Sequence, residues 1–336
     1  MNDQLLNRAQ SGDQQAFAQL TGQYRRELQV HCYRILGSVQ DAEDALQQTL
    51  LGAWQSLGGF EERASVRTWL YRIATNRCLN MLRASSRRPQ PDGIRFDVPL
   101  PEPTRVGEVV WLEPYPDLLL EGLPDDSPGP EVKYEARESV SLAFVAALQL
   151  LSPRQRVALV LRDVLGFRAN EVSEMIGATE SAVENALKRA RVAVQAGLED
   201  PAHHEPPPAP ESPVEQEIVR RLTEAFEVGD VEKLVQLLAE DVRVTMPPMP
   251  LEYRGREPAA RFFSIVSFRP GRRIRIVEAR ANGQPAVAAY VRDPQTGLFH
   301  ANGVVVLTLS GRFISALTGF DKSVLPAFGL PRVLSS

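Results

Sequence analysis

Along the first ninety residues apolar side chains recur at helical spacing. Ala42, Ala45, Leu46, Leu50, Ala53, Trp54 and Leu57 fall on one face of a helix of about four turns, with Asp41, Asp44, Gln47 and Gln48 off that stripe. Acidic side chains near its start suit the positive end of the helix, and Gly58-Gly59 predicts where it stops. A short loop, FEERASVR, leads into a second helix, TWLYRIATNRCLNMLR. Leu70, Ile73, Ala74, Cys78 and Met81 share one side of it. Arg77 falls on that apolar side too, where its stem has to snorkel. Upstream, residues 3–36 read as two helices through Ala16, Phe17, Leu20 and Tyr24, then Leu28, Cys32, Ile35 and Leu36, broken at Gly37-Ser38. The four make a small helical domain.

From Pro89 to about Pro130 the periodicity dissolves into prolines, glycines and acids, which predicts a tether with little structure. Inside it, Trp111-Leu112-Glu113-Pro114-Tyr115-Pro116-Asp117 sets two aromatic rings in a solvated stretch, so they need a partner surface, on another protein or elsewhere in this chain. Helical spacing returns over Ser141–Leu151. Ser152 with Gln155 forms a capping box and Pro153 takes the first helical position. RQRVALVLRDVL stops at Gly166; RANEVSEMI, the turn Gly177-Ala178-Thr179 and ESAVENALKRARVAVQ follow at helix-turn-helix spacing. Val183, Ala186, Leu187, Ala190 and Val194 fix the buried side of that last helix. Ser181, Glu184, Asn185, Lys188 and Arg189 must then face outward. Past a proline-rich spacer at 199–213, helices at 214–228, 231–239 and near 257–267 precede strands near 272–282, 285–292, 299–309 and 312–320. Helices first and antiparallel strands afterwards make an α+β plan.

Length predicts two or three domains, and 43% hydrophobic residues are enough to fill their cores. No apolar run approaches the ~20 residues of a membrane span. The first residues lack the basic-then-apolar order of a signal peptide, so a cytoplasmic location is expected. Cys32 and Cys78, without a CxxC, predict buried thiols. His203-His204 has no third ligand at useful spacing; no metal or other cofactor is implied. The net charge of −4 argues against a nucleic-acid binder until it is divided along the chain. Residues 91–134 carry −7 and residues 199–213 hold four acids and no base, whereas 1–90, 135–198 and 214–336 carry +3, +1 and +3. The acidity lies in the connectors.

The mildly basic remainder holds residue types that suit nucleic acid. Arginine neutralises phosphate and aromatic rings stack on unpaired bases. The helix with Trp69 and Tyr71 among Arg67, Arg72, Asn76 and Arg83 offers both. The acidic helix before it suits a basic protein partner. On the last helix-turn-helix helix, Asn and Glu read base edges while Lys and Arg hold phosphates.

Asp41-Ala42-Glu43-Asp44, Phe60, the series from Thr68 to Arg77, and Leu82-Arg83 resemble region 2 of the extracytoplasmic-function group of bacterial sigma factors. Glu62 stands where that pattern commonly has glycine, and Asn80 where it has aspartate. The resemblance implies that Asp41, Glu43, Asp44, Gln47 and Gln48 dock on the clamp helices of core RNA polymerase. It also implies that Phe60, Arg67, Trp69, Tyr71, Arg72, Asn76 and Arg83 melt and read the −10 promoter element. Leu151 to Arg156, Asp163, Gly166, Glu171-Val172, Gly177, Ala182-Val183 and Lys188 to Arg191 resemble sigma region 4. That implies −35 reading by Thr179, Ser181, Glu184, Asn185, Lys188 and Arg189. The Trp111–Asp117 heptapeptide resembles a mark of one sigma subgroup whose members carry an extra C-terminal domain. Here Asp241-Val242, Gly255-Arg256-Glu257 and Phe328 to Pro331 resemble the SnoaL-like version of the NTF2-like cone. Some of its relatives are isomerases or cyclases using a His and an Asp, which makes Asp241, Asp293 and His300 pocket candidates.

The expected fold class is therefore multidomain: two all-α domains, at 1–90 and 135–198, and an α+β NTF2-like cone at 214–336, joined by linkers at 91–134 and 199–213. The expected function is a sigma factor that directs polymerase to −35/−10 promoters, tuned by its fused C-terminal domain and without enzymatic activity. Its partners are core RNA polymerase and promoter DNA, with contact between the C-terminal domain and the sigma-like domains, a small-molecule ligand as a further candidate, and no membrane. A 44-residue tether spans roughly 35–40 Å as a coil and about 145 Å extended. Promoter elements some 80 Å apart on B-DNA therefore need polymerase to hold the two modules open. Two alternatives stand beside this reading. One is a DNA-binding regulator fused to a SnoaL-like converting enzyme; the other is a protein-only scaffold.

Overall fold

Short polar side chains and glycines punctuate the chain where its apolar runs break. The computed structural model describes residues 2–85, 96–120, 140–198 and 205–335. These form two units, Met1–Pro89 with Leu119–Leu198, and Gln90–Leu118 with Glu199–Ser336, each described by itself.

In the first unit α1 (Asn2–Gln10) and α2 (Gln14–Gly22) are parted by Gly12-Asp13, and the Asp13 carboxylate accepts from the Ala16 N–H at 2.9 Å. Helix α3 (Arg25–Leu36) ends on Gly37 in the left-handed region. Ser38 then caps α4 (Val39–Ser56), and α5 (Val66–Ser85) completes the set. The stretch read as two helices is thus three, because a capping aspartate interrupts it at residue 13. Leu20, Leu28, Cys32, Ile35, Ala42, Ala45, Leu57, Leu70, Ala74 and Cys78 are buried at the centre, as their spacing predicts. Arg77 runs beside α4: a Cβ at Gly52 would lie 3.2 Å from its Nη2.

The same unit holds α6 (Leu142–Gln149), α7 (Pro153–Leu159) continued by a π turn over Val160–Val164, α8 (Ala169–Ile176) and α9 (Glu180–Leu198). The Ser152 N–H donates to Gln155 Oε1 at 3.0 Å, and Gly177 closes α8 at φ 61°. Leu148, Leu151, Leu159, Val160, Leu187, Ala190 and Val194 form its core. Arg156 joins this half to the first. Buried to 5% exposure, it donates to Ile35 O (2.5 Å), Gln149 Oε1 (2.6 Å), Gln149 O (3.0 Å) and Leu151 O (3.3 Å). Burial pulls its pKa down to about 10, still charged at neutral pH.

The second unit starts with a short strand, β1 (Arg105–Val106), then α10 (Pro213–Val228), α11 (Val231–Val235), β2 (Leu238–Met246), β3 (Met249–Arg254) and α12 (Arg256–Val266). Strands β4 (Ile274–Ala281), β5 (Gln284–Arg292), β6 (Phe299–Ser310), β7 (Phe313–Asp321) and β8 (Val333–Leu334) follow. The sheet order is β1-β3-β2-β7-β6-β5-β4, with β8 on β6, and the β2–β7 pair is parallel. Asn282-Gly283, both at positive φ, makes the tight β4–β5 turn. The predicted helix at 231–239 stops at Val235, because Leu238 already pairs with Ile314 in the sheet. Strand β3, with a buried Tyr253, is an element the sequence reading lacks.

The expectation of a structureless tether over 91–134 is corrected between residues 96 and 118; residues 91–95 and 121–134, like His203-His204, lie outside the described residues. Val106 and Arg105 pair with Leu251 and Glu252 at the sheet edge. Tyr115 is fully buried. Its N–H donates to Asn282 Oδ1 and its carbonyl accepts from the Asn282 N–H, both at 2.8 Å. Asp117 accepts from the Gly283 N–H at 2.8 Å and faces Arg280, which also holds Glu215 at 2.5 Å. Proline and acid content predicts solvation from composition, but a turn with buried polar groups to satisfy recruits this peptide.

Candidate nucleic-acid and polymerase interfaces

Helix α4 buries Ala42, Ala45, Leu46, Thr49 and Ala53. Its opposite face presents Glu43, Asp44, Gln47 and Gln48 to solvent, beside a half-buried Asp41 and an exposed Leu51. An acidic rim round an exposed leucine fits a basic, partly apolar protein surface.

Of the residues assigned to −10 reading, Arg72, Asn76 and Arg83 are exposed on α5, and Phe60 and Arg67 are half-buried. Trp69 is 6% exposed and stacked on Phe60, with centroids 4.8 Å apart. Tyr71 is fully buried against His31 and Phe167. The Glu27 carboxylate accepts three bonds from Arg67 (2.9, 3.1 and 3.2 Å) and one from the Tyr71 hydroxyl (3.2 Å). Burial, with Glu27 beside it, pushes the Tyr71 phenol up. The Arg67 guanidinium lies 4.9 Å from the Tyr71 ring and 5.7 Å from Phe167. Asn76 Nδ2 donates to Met175 O of α8 at 3.0 Å. In this arrangement the rings of α5 meet protein, and the helix-turn-helix half supplies much of the cover. Spacing cannot reveal such cover, because Phe167 lies about a hundred residues away.

On α9 the sequence assignment and the structure coincide in geometry. Val183, Leu187, Ala190 and Val194 are buried; Ser181, Glu184, Asn185, Lys188 and Arg189 are exposed. Thr179 is exposed too, and its hydroxyl accepts from the Ala182 N–H. Arg162 reaches Glu184 at 3.7 Å and Arg191 holds Asp163 at 2.7 Å, which ties α9 to the π turn that continues α7. The exposed stripe therefore rides on a helix whose other face is packed.

Of the three pocket candidates, the cone sets Asp241 apart from His300, whereas Asp293, in the β5–β6 turn, lies close enough to His300 to feel its charge. Asp241 follows Leu238, which pairs with Ile314, and precedes Arg243, which pairs with Ala316; Ala316 in turn faces Thr308. His300 faces Val291 at the other end of β6, eight residues from Thr308 and so roughly 25 Å away. Asp241 lies 3.9 Å from Arg254. Asp293 accepts from the N–H groups of Gln295 and Thr296, which hold its carboxyl low. The strand register therefore keeps Asp241 well away from His300 along the sheet. Among the described residues no group of three metal-ligating side chains occurs, and no helix is long and apolar enough to cross a membrane.

Family models match in three places: Sigma-70 region 2 over residues 20–88, Sigma-70 region 4 over 141–194, and a SnoaL-like domain over 219–316. The chain is 42% identical over 321 residues to the ECF RNA polymerase sigma factor SigG of Mycobacterium tuberculosis, covering 94% of this chain and 84% of that protein. It is 32% identical over 304 residues to the ECF RNA polymerase sigma factor SigJ of the same species, covering 88% and 80%. The crystal structure of Mycobacterium tuberculosis SigJ superposes with a TM-score of 0.59 at 23% identity, over 91% of this chain and 97% of that one, a likeness of fold.

Proposed function

The chain belongs to the extracytoplasmic-function family of RNA polymerase sigma factors, which direct core polymerase to promoters, and on that premise we propose which surfaces do the work. Thr179, Ser181, Glu184, Asn185, Lys188 and Arg189 read the −35 element. The single observation that carries this is the exposed polar and basic stripe of α9 opposite a fully packed apolar one. The acidic face of α4 docks on core polymerase. Phe60, Arg67, Trp69, Tyr71, Arg72, Asn76 and Arg83 act at −10, and there a change of state is required. Trp69 and Tyr71 are buried and Asn76 is bonded to Met175. Core polymerase, by drawing α8 and α9 off α5, frees that helix to meet the melted strand.

The C-terminal unit tunes this activity and does not catalyse, a reading supported by the separation of Asp241 from His300. The protein acts where polymerase is, in the cytoplasm. Run-off transcription with purified core and a library of promoters tests the proposal. Transcripts that need both core and this chain, and that fall at least tenfold with Asn185→Ala, are expected. Tight operator binding without core, and no core-dependent transcript, would favour a repressor instead.

A further inference from the structure

The docked tether leaves one contact that neither the sigma regions nor the Tyr115 anchor explains. Between Phe96 and Pro103 it lies across the cone's aromatic cluster. Phe96 meets Phe262 edge-on at 6.2 Å, and Val98 and Leu100 rest on the same core, near Tyr253, Phe263 and Phe268. Asp97 is held by Arg269 and lies 3.9 Å from Arg272. Both arginines follow α12, and Arg272 also donates to Asn302 Oδ1 of β6 at 3.2 Å. The strap is lightly fastened. Among the described residues its main chain from 96 to 103 makes one hydrogen bond, from the Tyr253 hydroxyl to Pro101 O at 2.9 Å.

The arginine pair is better built than its occupant. The Arg272 side chain is 12% exposed, and its buried Nε has no hydrogen-bond partner. Asp97, 67% exposed at the rim, engages Arg269 and falls short of a bond to Arg272. A guanidinium fork suits a carboxylate taken through two N–H groups, and leaving a buried donor unmatched costs free energy. An acid on a longer or slimmer apolar body reaches both arginines while its body takes the Phe96 seat.

We infer that the seat of Phe96 and Asp97 is a binding site for an organic carboxylate with an apolar body, and that the strap is its built-in competitor. Ligand binding frees residues 96–103, adding up to about 28 Å of contour to the tether between the two DNA-reading regions. The regulatory meaning rests on the sigma-factor reading, but the binding itself is measured without polymerase. Calorimetric titration of the full chain with decanoate, and with decanol as the uncharged control, provides the test. Asp97→Asn, an exposed change, is expected to bind decanoate at least fivefold more tightly than the unsubstituted chain. Decanol is expected to bind at least tenfold more weakly than decanoate. Arg269→Gln, checked for an unchanged melting profile, is expected to lose tenfold, and decanoate is expected to speed proteolysis between residues 96 and 103. No binding of millimolar decanoate by Asp97→Asn, equal binding of decanol, or an affinity indifferent to Asp97 and Arg269 would overturn the inference.

Discussion

His31 shows how one buried side chain fixes a pH response. Its Nε2 lies 2.9 Å from the Thr75 hydroxyl, its ring is edge-on to Tyr71, and burial, with Arg34 and Arg67 nearby, lowers its pKa to about 3. The unfolded chain takes up this proton near pH 6.5, and the folded one resists until about 3. Stability is therefore complete above about pH 6.5 and is lost as pH falls below it, at up to about 1.4 kcal/mol per pH unit. Denaturant melts at pH 7 and pH 5 should differ by about 2 kcal/mol from this residue, and His31→Asn should remove that part of the difference. A slope unchanged in the variant would refute the assignment. Glu62 makes a second residue-scale case. It adopts φ 56° at a position where the related pattern carries glycine. A β-branched side chain tolerates that conformation poorly. Glu62→Val should cost about 1–2 kcal/mol in thermal melts, while Glu62→Gly stays within about 0.5 kcal/mol of the parent, its relief of strain offset by chain entropy.

Among elements, the informative pair is α5 with the segment leading into α8. Phe167, 6% exposed, covers Tyr71 and the Arg67 guanidinium, and Arg156 ties α7 to the end of α3. Phe167→Ala removes the ring that spans the two halves. About 3 kcal/mol of stability should go with it in chemical denaturation. Hydrogen exchange along α5 should rise in the same variant, and protection equal to the parent's would show that α5 does not depend on this cover. In the second unit the β4–β5 turn plays the corresponding part. Asn282, 1% exposed, gives its side chain and its main chain to Tyr115. Tyr115→Ala should therefore destabilise the sheet-bearing unit by about 3 kcal/mol, read as a lower melting temperature. A solvated tether would show no change.

At the scale of the molecule, the charge division explains how a chain of net charge −4 serves nucleic acid. Lys188 and Arg189 stand exposed on α9, while acids crowd the connectors. Each phosphate contact contributes about one to the slope of log affinity against log salt. For the holoenzyme on a −35/−10 promoter, Arg189→Ala should reduce that slope by about one and weaken binding similarly across promoter sequences. Asn185→Ala should instead relax preference at a single base pair. An Arg189→Ala slope equal to the parent's would remove that residue from the interface.

The helical spacing of Ala42 to Leu57 and of Val183 to Val194, the glycine stops and the Ser152 cap determined which elements form and which faces they bury. Those are local rules, carried by period and by short-range hydrogen bonds. The residues of the α9 stripe were legible for the same reason, since fixing the buried side of a helix fixes the exposed one. What the tertiary structure decided was partnership. Trp69 and Tyr71 carry the chemistry of base stacking in the sequence, yet Phe60, Glu27 and Phe167 occupy them here. Asp241 and His300 share a domain but are set apart by strand register. Proline-rich residues 96–118, unstructured by composition, are ordered because distant arginines, an aromatic cluster and the Asn282 turn offer them satisfied bonds. Apart from Phe60 with Trp69, these contacts join residues far apart in the chain, chosen by shape and unsatisfied polar groups, and no periodicity encodes them.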